Sequence, residues 1–289
     1  MLYLTHTNYL IFFILIICII LHNLNINNYY KNKIIIILQL ILIILLFSLS
    51  NTELFNNDGI YTAIIIEPRK HRALEYVLTN FTDMLDTRWN FIICHGTQNE
   101  TFVNDIVNTK LNNHINRIKL INLNVDNLTI HNYNELLYNP SFYELVPTEY
   151  FLIFQSDTQI CSTYKNNIYK FIDMNYDYVG APWGNTVGNG GLSLRKKSKM
   201  LEIINKCSDR KYALPDELYN EDVFFSTVCS DKVDIKLPSG EDAKEFGIET
   251  VYSDNAFGIH KLWAYQNSEQ IENINKFCPG LYNLIELNN

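Results

Sequence analysis

Apolar positions follow three regimes along the chain. Residues 10–21, LIFFILIICIIL, and 34–49, IIIILQLILIILLFSL, are apolar almost without interruption. Each falls short of the ~20 residues that cross a bilayer, but the first extends back through YLTHTNY and the second forward to Leu54. Apolarity on every side sets them apart from amphipathic surface helices. They predict one or two transmembrane helices, an anchor over residues 1–55 ahead of a globular domain over 56–289. A single-pass signal anchor is favoured over a two-pass hairpin. Lys31 and Lys33 precede the second run; held in the cytosol, they place the domain on the lumenal or outer side. The rival readings are two buried helices of a soluble protein and a cleaved signal peptide. The latter lacks a basic leading segment and a small-residue cleavage site.

From Ile60 the pattern alternates. IYTAIIIE (60–67), WNFIICH (89–95), RIKLINL (117–123) and YFLIFQ (150–155) are continuous and β-branched or aromatic, as strands covered on both faces are. Between them, HRALEYVLTNFTDML and ETFVNDIVNTKL place apolar residues at helical spacing, and NELLYNPSFYELVPTEY reads as a helix and a turn. Strand and helix in alternation predict an α/β fold with a mostly parallel sheet flanked by helices. Beyond residue 157 the runs shorten: a helix over 164–174, a short strand in YDYVGAPW, a strand or turn after GNGG, a basic helix, and a helix opened by NEDVFF.

Composition narrows the function. Of 289 residues 47% are hydrophobic, enough for one large core. The net charge of −8, with no Lys/Arg block, argues against nucleic acid as partner. Six cysteines without a CxxC pair write no zinc or redox motif, and buried free thiols are expected of them. Sequons at Asn80, Asn99 and Asn127 would suit a secretory lumen, although so Asn-rich a chain produces them by chance.

In an open parallel sheet, ligands bind where the loops diverge at the carboxyl ends of strands. Asp157, in FQSDT, stands at such an end, and so do Glu67 and Arg69 in EPR. The GNGG turn allows either a close backbone approach to a ligand or a tight turn. Glu221 and Asp222, after Asn220, are either catalytic acids or acids in a capped first helical turn. His260, in FGIHKLW, is either a packed or a functional imidazole.

The order of these features resembles the GT-A class of nucleotide-sugar glycosyltransferases. EPR, FQSDT, YVGAPW, GNGGLSLR, NEDVFF, LPSGEDAKEFGIE and FGIHKLW together resemble, over residues 60–265, a GT-A-like family known mainly as a domain of unknown function in viruses and microbes. The resemblance implies a GT-A (Rossmann-like) fold and sugar transfer from a nucleoside-diphosphate donor to a glycan, protein or lipid acceptor. It implies that Asp157 stands in the DxD position and binds a divalent cation, Mn²⁺ or Mg²⁺, with His260 as second ligand. Gln155 or Ser156 replaces the first Asp of that motif. Glu221 or Asp222 would be the base, Gly190 and Gly191 would lie against the donor sugar, and Trp183 would face the sugar or acceptor. Glu67, Arg69 and Lys261 would attend the nucleotide and its phosphates. The alternatives are a metal-dependent nucleotidyl or phosphoryl transferase and a non-catalytic carbohydrate-binding membrane protein derived from such an enzyme.

Overall fold

The structure is a computed structural model that describes residues 59–184, 186–214 and 217–289, together with Ile37. The two apolar runs, and with them the anchor over 1–55, lie outside the described residues; among those described, no helix is long and apolar enough to cross a membrane.

The alternating stretch folds as its pattern predicts. β1 (Tyr61–Ile66), β2 (Trp89–His95), β3 (Ile118–Asn122) and β4 (Tyr150–Phe154) are joined by α1 (Leu74–Met84), α2 (Glu100–Thr109) and α3 (Ile130–Tyr138). They pair in parallel in the order β3-β2-β1-β4, with Ile64 opposite both Ile92 and Ile153. Side chains alternate across a strand, so Ala63, Ile65, Phe91, Ile93, Leu152 and Phe154 enter one core with α1 and α2. Ile64, Ile66, Ile92, Cys94, Phe151 and Ile153 enter a second core on the other face. Two cores account for the unbroken apolar runs.

After Asp157 the chain makes short elements. β5 (Thr158–Ile160) precedes α4 (Asn167–Asp173), and β6 (Tyr178–Gly180) precedes the small ladder of β7 (Pro182–Trp183) and β8 (Thr186–Val187). β9 (Leu192–Lys196) inserts between β4 and β6, antiparallel to both, and completes a six-stranded mixed sheet. α5 (Lys197–Cys207), the hairpin of β10 (Tyr212–Leu214) and β11 (Glu217–Leu218), and α6 (Glu221–Val223), continued by a π-helical turn over Phe224–Val228, follow. α7 (Gly240–Ala243), β12 (Gly247–Ile248), β13 (Gly258–His260), α8 (Ser268–Phe277) and α9 (Leu281–Asn288) end the chain. β13 lies between β12 and β5 in a second, three-stranded sheet. The domain is thus mixed α/β with a mainly parallel central sheet.

One expectation is corrected. Free thiols were expected, but Cys161 pairs with Cys278 and Cys207 with Cys229, and among the described residues Cys94 alone remains unbridged, buried in β2; Cys18 lies outside the described residues. The first bridge closes a separation of 117 residues, a meeting made by packing and invisible in spacing. Of the three sequons, Asn99 is fully buried and the Asn80 amide is bonded through both its ends to Ile160, so only Asn127 stands exposed.

Candidate active site

The end of β4 is the pivot. Gln155 offers its carbonyl to the Thr158 amide at 3.2 Å and to the Thr158 hydroxyl at 2.6 Å, a turn that leaves Asp157 between two strands. β5 then pairs with β13 in a register that sets Thr158 opposite His260, and the Lys261 amide donates to the Asp157 carbonyl at 3.0 Å. Backbone pairing therefore brings Asp157 and His260 together from far apart in sequence. Nε2 of His260 lies 3.4 Å from Asp157 Oδ1, and Nδ1 lies 3.2 Å from Glu249 Oε1. Neither contact has hydrogen-bond alignment: Asp157 Oδ1 and His260 Nδ1 are buried without a hydrogen-bond partner. Burial opposes ionisation of Asp157, yet His260 and Lys261 hold its carboxyl below the ordinary value. Burial likewise disfavours the imidazolium, but the carboxylates of Asp157 and Glu249 raise His260 to about 9.

Glu67 and Arg69 close on each other. Arg69 Nε and Nη2 each donate at 2.8 Å to the Glu67 carboxylate, which also accepts the Arg69 amide at 3.0 Å and the Ser156 hydroxyl at 3.3 Å. Glu67 is thereby occupied as a holder of Arg69, whose half-exposed fork remains available to an anion. The buried Asn99 locks this turn, donating to the carbonyls of Glu67 (2.9 Å) and Arg69 (2.8 Å) while accepting from the Gly96 amide (2.8 Å).

The glycines of GNGG make room for neighbouring side chains. Neither Gly190 nor Gly191 has positive φ. A Cβ on Gly191 would fall 2.2 Å from His260 Nε2, and one on Gly190 would fall 2.2 Å from Glu221 Oε1. Their amides are spent within the protein, Gly190 on Asp222 Oδ2 at 3.2 Å and Gly191 on Asn189 Oδ1 at 3.0 Å. The missing side chains admit His260 and Glu221.

Glu221 and Asp222 separate into two roles. Arg195 on β9, fully buried, grips Glu221 through Nη1 at 2.5 Å and Nη2 at 2.9 Å, and packs over the rings of Tyr178 and Phe225. Glu221 therefore neutralises a buried cation and is not free to act as a base. Nor does the Asn220 side chain cap the helix; the Glu221 amide donates to Asn134 Oδ1 at 3.1 Å. Asp222 accepts from the amides of Val223 and Gly190. Burial, aided by the neighbouring Glu221 charge, raises it to about 6.

These groups surround one crevice of about 370 Å³, lined among others by Glu67, Arg69, Gln155, Ser156, Asp157, Gly190, Gly191, Glu221, Asp222 and His260. That volume lies within the range of small-molecule sites. Trp183 and Lys261 stand outside this lining. The Trp183 indole donates to Glu249 Oε2 at 3.0 Å, and exposed Lys261 turns the chain with a φ of 42°. Sequence reasoning passed over Arg195, Glu249, Asn134 and Tyr133. An arginine ending the apolar LSLR strand was the one available signal, because a buried guanidinium needs a carboxylate. Tyr133 brings a buried hydroxyl without a hydrogen-bond partner to the same lining.

Among the described residues no group of three or more His, Cys, Asp and Glu side chains is arranged to hold a metal ion. Asp157 Oδ1 and His260 Nε2 nevertheless make a fitting pair of donors. One is an orphaned carboxylate oxygen, and their 3.4 Å separation is close to the roughly 3 Å between adjacent ligands on an octahedral cation with bonds of about 2.1 Å. The residues present thus fit two protein ligands of a divalent cation.

Among solved structures, the chain is similar to S. aureus TarS 1-349, with 12% identity, 75% of this chain and 70% of that chain covered, and a TM-score of 0.43. It is similar to the glycosyltransferase GlyE of Streptococcus pneumoniae TIGR4, with 11% identity, 80% and 60% covered, and a TM-score of 0.47. A third similarity is to the mannosyltransferase PcManGT of Pyrobaculum calidifontis, solved with GDP-Man and Mn²⁺, at 13% identity, 51% and 47% covered, and a TM-score of 0.39. No curated protein matches in sequence. Residues 117–260 match the family described as "Protein of unknown function (DUF5672)", a stretch that runs from the start of β3 to His260 and contains Asp157, the GNGG loop, Glu221 and Asp222.

Proposed function

We propose that the chain is a glycosyltransferase that moves a sugar from a nucleoside-diphosphate donor to an acceptor hydroxyl. One observation carries the reading: a single crevice is lined by a donor pair fit for a cation, Asp157 and His260, by the half-exposed fork of Arg69, and by Asp222, an acid raised to about 6. Asp157 and His260 would hold a divalent cation, whose chemistry would be to neutralise charge on the departing diphosphate. Arg69, steadied by Glu67 and Asn99, binds a phosphate oxygen. Asp222 accepts the proton of the attacking hydroxyl, a task suited to a carboxylate whose pKa lies near working pH. Glu221, gripped by Arg195, holds the Asp222 turn in place. The acceptor is a glycan, protein or lipid.

Residues 1–55 anchor the domain to a membrane, with residues 56–289 on the lumenal or outer side. The two disulfides support that side, since such bridges persist in oxidising compartments. Alkylation of the chain taken from cells without reductant tests this, with one reactive thiol expected after unfolding in residues 59–289.

The activity test incubates the full chain with a panel of sugar nucleotides and Mn²⁺ and follows the released nucleotide. Nucleoside diphosphate is expected. Nucleoside monophosphate instead would point to phosphoryl or nucleotidyl transfer, and no release with any donor would reject the reading.

A further inference from the structure

Glu249 is a carboxylate buried against an imidazole and an indole; it closes the motif LPSGEDAKEFGIE, and the proposed chemistry gives it no role. Burying a charge is costly unless it is paired. Each of its polar groups has a counterpart: Oε2 accepts the Trp183 indole N–H at 3.0 Å, the backbone carbonyl accepts the Gln266 side chain at 2.7 Å, and Oε1 faces His260 Nδ1 at 3.2 Å. The indole bond keeps the carboxylate from swinging away.

His260 is confined from three directions. Its backbone is fixed in β13 opposite Thr158. Its ring lies against Gly191, where a Cβ would fall within 2.6 Å of Nε2, Cε1 and Cδ2. Its two nitrogens face different carboxylates, and these differ: Glu249 is tied to Trp183, whereas Asp157 Oδ1 is buried with no hydrogen-bond partner. A small turn of the ring aligns Nδ1–H with Glu249.

We propose that Glu249 is a positioning residue: it takes the proton on His260 Nδ1 and so presents the Nε2 lone pair beside Asp157 to a divalent cation. A carboxylate that fixes the far nitrogen of a metal-binding histidine sets both its tautomer and its orientation. The cation is part of the function proposed above, and the inference rests on that reading; the orientation of the ring does not.

Two readouts on the full chain keep these apart. Mn²⁺ binding without nucleotide is measured by the electron paramagnetic resonance of free Mn²⁺, and the His260 tautomer by long-range ¹⁵N–¹H spectra above the titration of the imidazole. Glu249→Ala weakens Mn²⁺ binding by about 10–100-fold and moves the proton from Nδ1 toward Nε2. Glu249→Gln, whose amide oxygen still accepts from Nδ1, weakens binding by about 10-fold or less and keeps most of the Nδ1–H form. Wild-type Mn²⁺ affinity together with an unchanged tautomer in Glu249→Ala overturns the proposal. If the wild-type chain itself binds no Mn²⁺, the cation reading fails and the tautomer alone decides the role of Glu249. If Glu249→Ala does not fold, Glu249→Gln carries the test: any loss of Mn²⁺ affinity with a part-shifted tautomer supports the proposal, and wild-type values for both overturn it.

Discussion

β1, β2 and β3 pair with neighbours one helix away along the chain and β4 returns to β1 across three, whereas β5 pairs with β13 from far along it, and β13 also pairs with the nearby β12. The first group runs to five, six or seven residues per strand, with β1, β2 and β4 buried along almost their whole length and the edge strand β3 partly exposed; the second has two or three. The long strands build the scaffold, and the short ones bring Asp157, Glu249 and His260 together at its edge. Stability and function are therefore expected to divide along the same line.

The largest structural effect should come from the one site element fully inside the scaffold. Arg195→Ala leaves Glu221 buried and uncompensated, at a cost of about 3–5 kcal/mol, read by urea unfolding. Replacing both with apolar residues of similar volume should restore most of that stability while leaving the Asp222 turn less well held. Ile64→Ala, in the middle of β1 and fully buried, should cost about 2–5 kcal/mol and leave donor affinity unchanged in the protein that remains folded. Asn99→Ala strips the Glu67 and Arg69 carbonyls of a donor and should cost about 1–3 kcal/mol, with weaker nucleotide binding besides. Asn127→Ala, the exposed sequon at the crevice rim, should stay within about 0.5 kcal/mol. Equal costs at Asn99 and Asn127 would break the division.

The scaffold was legible because its signal is local. β2 spans Trp89–His95, the same residues as its apolar run, and Asp157 was placed at a strand end by the abrupt close of YFLIF. What failed was whatever depends on a distant partner. Glu221 and Asp222 are equivalent in sequence and part company only when Arg195 arrives from β9. Nor does GNGG announce that the side chains its glycines make room for are those of His260 and Glu221. Cys161 and Cys278 are joined where α8 packs on the turn at 162–164 and α9 on β5, which no spacing announces. Sequons mark a possible modification without regard to burial, and Asn99, one of the three, is buried and ties a turn.

A smaller effect follows from the charge on Asp222. Its folded pKa of about 6 exceeds the ordinary 3.8, so the folded protein holds the proton more tightly than the unfolded chain. Stability from this group is present below the ordinary value and is lost as pH rises through about 6. Asp222→Asn should thus match wild type in stability at low pH and exceed it at pH 7, as thermal melts at the two pH values would show.

The decisive measurement sets donor binding beside turnover in Asp222→Asn. The full chain should bind its sugar nucleotide as the wild type does and release nucleoside diphosphate about 10²–10⁴-fold more slowly, while the wild-type rate climbs with pH through about 6. Turnover at the wild-type rate, with the same pH profile, would contradict a base at Asp222 and with it the reading of the crevice as a site of sugar transfer.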